Sequence, residues 1–509
     1  MDARRLLRNI TSQWVAHAVT AVVGFLMPPF LLDRLGRTAY GVHNLIGDLG
    51  GYSAMLYFGL GAAVLRYVAA HHAREEIDGL NETVSTIFAV YLRLGLFCLL
   101  AACALAWPLP SLFDVPAALA GEARARVVVT GLAVLVEFVG SVYGGVLMGL
   151  ERFDVLNGIK LALLLGRTFA VILVALRWPS VLAIGLVSLA TAVCEQGFCF
   201  VYAHRVLPGL RVSLALNRPA RLPELARFSV QSFVFTMSDR LINYTDSVVI
   251  GQARGADATG PYAFALRLVD FAREALDRAT HVLLPGFSAA AARGESHLVR
   301  AVWRTGTKAL LTLAIPIALV QTLWGRHVLA LWLSHNEHAS VAAQVVAEAY
   351  PCMVWLALGF VLQMAGRGLA RPLFEGLGEL RVPARIAALE AVANLVLSVV
   401  LVRRWGIQGV AFATFLPAAV TGLWVMPWFV CRRLELSFAR HAVDAYVRTL
   451  LPALPAFAVL RLAEHHGWHT RFVTLAATCL SVLAVHLAFA AVVTFDRGER
   501  ESLRARFRR

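Results

Sequence analysis

The chain has 509 residues, of which 59% are hydrophobic and 16% charged, with a formal net charge of +15. A mean hydropathy of +0.68 over that length excludes a water-soluble enzyme, a disordered chain and a fibrous one, and implies a polytopic integral membrane protein. The basic excess needs no nucleic acid to explain it, because arginines beside anionic lipid headgroups account for it.

In chain order, apolar runs of membrane-crossing length predict spans near 11–32, 41–65, 83–107, 126–149, 157–176, 181–203, 224–250, 258–286, 302–324, 341–366, 384–402, 407–430, 444–463 and 471–494. The expected fold class is therefore all-α integral membrane with about fourteen transmembrane helices. Arg4, Arg5 and Arg8 precede the first run like the n-region of a signal peptide. The run passes Pro28 without a small-x-small cleavage site, so an uncleaved first span is expected.

Ionisable residues inside spans are costly and serve as functional candidates. In the first seven spans these are His17, Asp48, Arg66, Arg93, Glu137, Arg167, Glu195, Asp239 and Asp246. The span 224–250 also places Ser232, Thr236, Asp239, Asn243 and Asp246 along one helix face. The next span is the most unusual: Arg267, Asp270, Glu274, Asp277, Arg278 and His281 fall within an arc of about 100°, with Arg273 beside it. Further on come Glu348 and Glu390.

On an insertion scale each central Arg or Asp costs roughly 2.5–3.5 kcal/mol, whereas a Leu or Phe returns about 0.3–0.6. The charged wall of 258–286 must then face protein, water or substrate. A helix lying in the membrane surface is the competing reading. Loop charge decides between them. With a cytoplasmic N-terminus, the inside stretches after this helix hold eighteen Lys and Arg, from Arg293 to Arg509, and the outside stretches hold five: Arg326, Arg403, Arg404, Arg461 and Arg471. A surface helix would invert that bias, so the helix is expected to span, with both termini cytoplasmic.

The halves repeat. A shift of 227 positions aligns Gly149-Leu150-Glu151-Arg152-Phe153 with Gly376-Leu377-Gly378-Glu379-Leu380, and Arg177-Trp178 with Arg404-Trp405. A shift of 222 sets Tyr40 on Tyr262 and Asp48 on Asp270. Six spans per unit make the repeats parallel. The expected domains are an N-lobe at 1–203, a basic cytoplasmic linker at 204–222, a C-lobe at 223–430, and a final helix pair with a basic tail at 431–509. Pro208, Pro219 and several arginines make the linker suitable as a flexible strap. Gly140-x-x-x-Gly144 and Gly145-x-x-x-Gly149 predict close helix packing.

Catalytic motifs such as GxxxxGK[ST], HExxH and GxSxG do not occur, and no extramembrane stretch could fold as a catalytic domain, so an enzyme and a cofactor are not expected. His465, His466 and His469 could gather a metal at an outer edge, but a hydrated helix end is the simpler reading. The seven cysteines carry no CxxC and read as packing residues. Arg66, Arg267, Arg273 and Arg278 suit phosphate contacts through bidentate geometry. His17, Asp48, Asp239, Asn243, Asp246, Asp270, Glu274, Asp277 and His281 suit hydroxyl or ion contacts, with proton or sodium coupling open. Ion pairing within the protein is the alternative role for all of them.

The segments Leu35-Gly36-Arg37-Thr38-Ala39-Tyr40-Gly41-Val42 and Gly59-Leu60-Gly61-Ala62-Ala63-Val64-Leu65-Arg66-Tyr67 resemble the opening of the polysaccharide-transport (Wzx-like) flippases. Gly149-Leu150-Glu151-Arg152-Phe153 and Trp405-Gly406-Ile407-Gln408-Gly409 resemble that family's loops after the fourth and before the twelfth spans. The resemblance implies membership of the multidrug/oligosaccharidyl-lipid/polysaccharide (MOP) exporter superfamily. It further implies transfer of polyprenyl-diphosphate-linked oligosaccharides from the cytoplasmic to the periplasmic leaflet of the bacterial inner membrane, by two lobes rocking about a central cavity. Polysaccharide assembly machinery is a further candidate partner. This chain departs from the family's commonly cationic cavity by carrying nearly as many acids as bases. A lipid II flippase, a cation-coupled drug exporter and a glycan ligase are the alternative functions.

Overall fold

Helices satisfy every backbone group within one segment, which is what hydrocarbon demands of a spanning chain. The computed structural model describes residues 3–57, 64, 67–68, 71–72, 75–150, 152–281, 295–334, 339–377, 379, 381–468, 472–496 and 499. Within helices the side chains of 3–18, 54–55, 57, 153–154, 221, 224–236, 239–240, 243, 278–279, 281, 339 and 376 are outside that description. The described regular structure is helical throughout. It runs α1 (Ala3–Leu35), α2 (Arg37–Gly51), α3 (Ile77–Ala106), α4 (Ala117–Gly149), α5 (Phe153–Arg177), α6 (Val181–Val206), α7 (Leu222–Arg254), α8 (Thr259–His281), α9 (Ser296–Leu323), α10 (Ala339–Gly366), α11 (Arg381–Val420) and α12 (Met426–Arg433). Two more follow, α13 (Phe438–His465) and α14 (Phe472–Val493).

These helices cover the expected spans, with two differences of form. The second span is broken, because α2 stops at Gly51 and tightens into a 3-10 turn, Tyr52–Tyr57. The spans expected at 384–402 and 407–430 are joined through α11, which kinks at Gly406, where φ is 58° and ψ is −143°. A left-handed φ there suits only glycine at low cost. A π turn, Thr421–Val425, then leads into α12. Among the described residues nine helices are long and apolar enough to cross a membrane, and α8 is not one of them, since its charged wall lowers its hydropathy.

The chain forms two compact units, 1–260 and 261–509. This boundary differs from the repeat-based one at 204–222, because α7 packs on α2 and on the 52–57 turn.

In the first unit α4 is the central helix, packed against α3, α6 and α2. Small residues make this possible. A Cβ on Gly140 would lie 2.3 Å from the Gln196 side chain, and one on Gly145 2.6 Å from that of Val64, so each GxxxG repeat has a glycine onto whose bare backbone a neighbouring side chain packs. The rings of Tyr91 and Phe138 meet at 5.6 Å, tilted by 58°, within the apolar core of these helices. Gly36 and Gly255, with φ of 78° and 85°, end α1 and α7. The α7–α8 turn then rests on α2: a Cβ on Gly41 would lie 2.1 Å from the Ala256 carbonyl oxygen, and Thr259 donates to the Gly41 carbonyl at 2.9 Å.

The linker is not the loose strap expected from its composition. Asn81 donates to the Gly209 carbonyl (3.0 Å) and accepts from the Arg211 N–H (2.9 Å). One turn on, Ser85 accepts from the Ser213 N–H, and Thr86 accepts from that of Arg218. Arg218 also pairs with Glu82 at 3.3 Å. One polar face of α3 thus satisfies the backbone of a segment whose own regular structure is two short 3-10 turns, Leu214–Leu216 and Pro219–Arg221.

In the second unit α10 packs between α9 and α11, and α13 and α14 pair with each other. Gly366 and Gly422 bring α10 onto the π turn, with a Cβ on Gly366 only 2.4 Å from the Gly422 oxygen. Just beside it, Arg367 Nη1 binds the Glu390 carboxylate at 3.0 Å, and Thr421 Oγ1 donates to the same carboxylate at 2.7 Å. Glu390 is 2% exposed, so this charge depends on its partners. A second pair, Arg433 with Glu379, is bidentate at 2.7 and 2.8 Å but nearly half exposed. The hydrogen bond from Arg433 holds the Glu379 carboxyl below the ordinary carboxylate range.

Burial separates the two pairs in energy. Arg367→Ala should lower stability by about 3–5 kcal/mol, since it strands a buried carboxylate, whereas Arg433→Ala should cost under about 1 kcal/mol. Unfolding of the detergent-solubilised protein measures both. The Glu379 pair contributes above the unfolded carboxyl pKa of about 4.3 and its contribution fades as pH falls through the depressed folded value, so wild type and Glu379→Gln should converge in acid.

Candidate functional site

The charged wall of α8 is a real face of the folded helix. Ala265, Leu268, Val269 and Leu276 on the opposite side are buried. Arg267, Asp270, Arg273 and Asp277 are half-buried, and Glu274 is exposed. Arg267 lies over the Phe271 ring at 4.8 Å, which supports a guanidinium without neutralising it. Arg273 forms an ion pair with Asp270, one turn back along the helix. Two of the residues chosen for opposite roles therefore partner each other, and Arg267 has the more available charge. Gln321 of α9 donates to the Leu268 carbonyl at 2.9 Å, tying the apolar back of α8 to its neighbour.

A second group forms within the first unit. Asp48 of α2 and Asp246 of α7 both act electrostatically on Tyr52, whose hydroxyl donates to Thr245 Oγ1 at 2.9 Å. Tyr244 stands beside Tyr52 with ring centroids 6.2 Å apart. Asp246 is 2% exposed and Asp48 half-buried. Two acids selected from separate spans thus share one phenol. The sequence reading missed Tyr52, although it lies four residues after Asp48 and so on the same helix face.

Beside Tyr52 opens an apolar cavity of about 490 Å³, lined by Ile46, Leu49, Leu56, Phe97, Val134 and Met237 among others. Phe97 and Met237 are exposed. A hydrophobic recess next to two carboxylates can receive an amphiphile, one end apolar and the other polar.

The remaining candidates are placed only in part. His17 lies on α1, Asp239 and Asn243 on α7, and Arg278 and His281 on α8, with side chains outside those described; Arg66 and His469 lie outside the described residues altogether. Elsewhere in the first unit Arg167 donates to Ser188 at 3.3 Å, and its charge acts on Glu137 together with that of Glu195. The seven cysteines are all free thiols.

The order and hydropathy of the helices define a multi-pass membrane protein, and its fold is that of MATE and MurJ transporters. An inward-facing multidrug-resistance MATE transporter of the MOP superfamily superimposes with a TM-score of 0.68, at 15% identity, over 82% of this chain and 95% of its own. The lipid II flippase MurJ in an inward closed conformation gives 0.68 at 13% identity, over 95% and 98%. The chain belongs to the polysaccharide biosynthesis protein family, whose model matches residues 56–342. It is also 23% identical to the uncharacterized membrane protein EpsK of Bacillus subtilis (strain 168), over 98% of both chains.

The two faces of α8 should differ in solvent access. In a cysteine-free background, Glu274→Cys should react rapidly with a membrane-impermeant thiol reagent, and Leu268→Cys, 8% exposed, should be protected. Equal labelling would remove the aqueous face.

Proposed function

We propose that this protein is a flippase that moves a polyprenyl-diphosphate-linked oligosaccharide from the cytoplasmic to the periplasmic leaflet of a bacterial inner membrane, with both termini cytoplasmic. The observation that carries the reading is the α8 wall in a member of a polysaccharide biosynthesis family. Mixed charge on a membrane-depth helix needs a polar occupant or water, and a glycolipid headgroup supplies both phosphate and hydroxyls. Arg267 would meet the diphosphate, with Arg66, Arg273 and Arg278 supporting it. Asp270, Glu274 and Asp277 would meet sugar hydroxyls, as would Asp239, Asn243 and His281. The apolar recess beside Tyr52 would accept an apolar chain such as isoprenoid units.

A proton or sodium ion would be exchanged at Asp48 and Asp246, both of which act on Tyr52, with His17 a further candidate. The transport cycle would open the charged face to one side of the membrane and then the other. Glycan assembly proteins are the expected partners on the receiving side.

Reconstitution in liposomes tests the substrate. Labelled polyprenyl-diphosphate sugar should change leaflets, and a cationic dye should not be exported; the reverse result would favour a drug exporter. Transfer confined to lipid II would favour a peptidoglycan flippase. Arg267→Ala should lower glycolipid transfer by about tenfold or more, the effect of one lost charge-assisted contact, with folded yield near wild type. Asp48→Asn with Asp246→Asn should remove the dependence on an imposed ion gradient.

A further inference from the structure

The first unit contains a group of basic side chains that the proposed transport path does not use. Arg126 of α4 is 5% exposed. Its guanidinium lies directly on α6: a Cβ on Gly185 would stand 2.3 Å from Nη1 and 2.5 Å from Cδ, so only glycine leaves it room. Three residues on, along the same face of α6, Ser188 accepts from Arg167 of α5 at 3.3 Å. His43 of α2 completes the group, and the charges of Arg126 and Arg167 both act on it. Two helices therefore direct guanidinium groups at one turn of α6, and His43 of a third lies within reach of their charge.

Among the described residues nothing neutralises Arg126. Its Nε is buried without a hydrogen-bond partner, and so is Nδ1 of His43. The charge that acts on it is the like charge of Arg167. Glu122, one turn earlier on α4, is engaged elsewhere, accepting from Ser180 Oγ at 2.7 Å at the start of α6. Glu137 lies eleven residues along α4, some 16 Å away at about 1.5 Å per residue. A buried guanidinium without a counter-charge is unstable in a low-dielectric interior.

Arg167 sits on an open but inward side of its helix. It is exposed, yet on α5 it points away from Leu165, Phe169, Leu173 and Leu176, whose shared face is the lipid-facing one. Arg167 therefore lies on the side of α5 turned from that apolar face, and Arg126 is itself buried.

We propose that His43, Arg126 and Arg167, backed by Gly185 and Ser188 of α6, bind a small monovalent inorganic anion of the chloride class as a resident structural ion. The Glu137 carboxylate acts on Arg167, so the charge left for an anion to compensate is that of Arg126, which water would not neutralise. The site is separate from the α8 wall and independent of the transported substrate.

Thermal unfolding of the full-length protein in detergent, titrated with bromide or chloride against gluconate at constant ionic strength, tests this. Wild type should gain stability saturably. Arg126→Gln should raise the midpoint halide concentration by about tenfold or more, and Arg205→Gln, in the exposed end of α6, should leave it unchanged. A wild-type melting temperature indifferent to halide, or a response to pyrophosphate alone, would overturn the assignment. Should Arg126→Gln fail to fold, anomalous diffraction from bromide-soaked wild-type crystals decides the matter. A peak in contact with Arg126 supports the site, and its absence refutes it.

Discussion

The cost of holding charge inside hydrocarbon governs this molecule. Every ionised group within the bilayer has to be matched by a partner, by water or by a ligand, and the structure shows three such outcomes. Glu390 is matched by Arg367 and Thr421 beside the π turn. Arg273 is matched by Asp270 on its own helix. The α8 wall as a whole keeps an exposed acid, Glu274, and an arginine, Arg267, that among the described residues is supported by the Phe271 ring.

Close helix approach is the other side of the same constraint. Without a hydrophobic force between helices in lipid, packing depends on backbone proximity. Gly140 and Gly145 supply it in the first unit, and Gly366 and Gly422 in the second. The second pair sets the π turn against α10 at the same level as the Glu390 carboxylate, so a packing feature and a charge-satisfying feature occupy one place. The strap at 204–221 follows a similar logic outside the helices, since its backbone is satisfied by one face of α3.

A membrane transporter fold allows many substrates, and fold likeness does not select among them. Selection rests on the faces lining the polar path. Here the arrangement is unlike a simple cationic groove: an acidic pair around Tyr52 adjoins an apolar recess, while α8 interleaves bases with acids. The recess of the first unit suits an apolar chain, and the α8 wall of the second suits a group that is anionic and hydroxylated.

The number and order of spans, the charged wall of α8 and the glycine contacts of α4 were legible in the sequence. They depend on local quantities: hydropathy summed along one segment, and a helical period that puts residues three and four apart on one face. Tertiary structure alone decided which charges meet. It set Asp48 of α2 and Asp246 of α7 to act on one tyrosine, Tyr52, placed Arg367 on Glu390, and brought Arg126 under the like charge of Arg167, because partners on separate helices are brought together by packing that no single segment encodes. It also turned a proline- and arginine-rich linker into a pinned strap, since the acceptors that hold it lie more than a hundred residues away on α3.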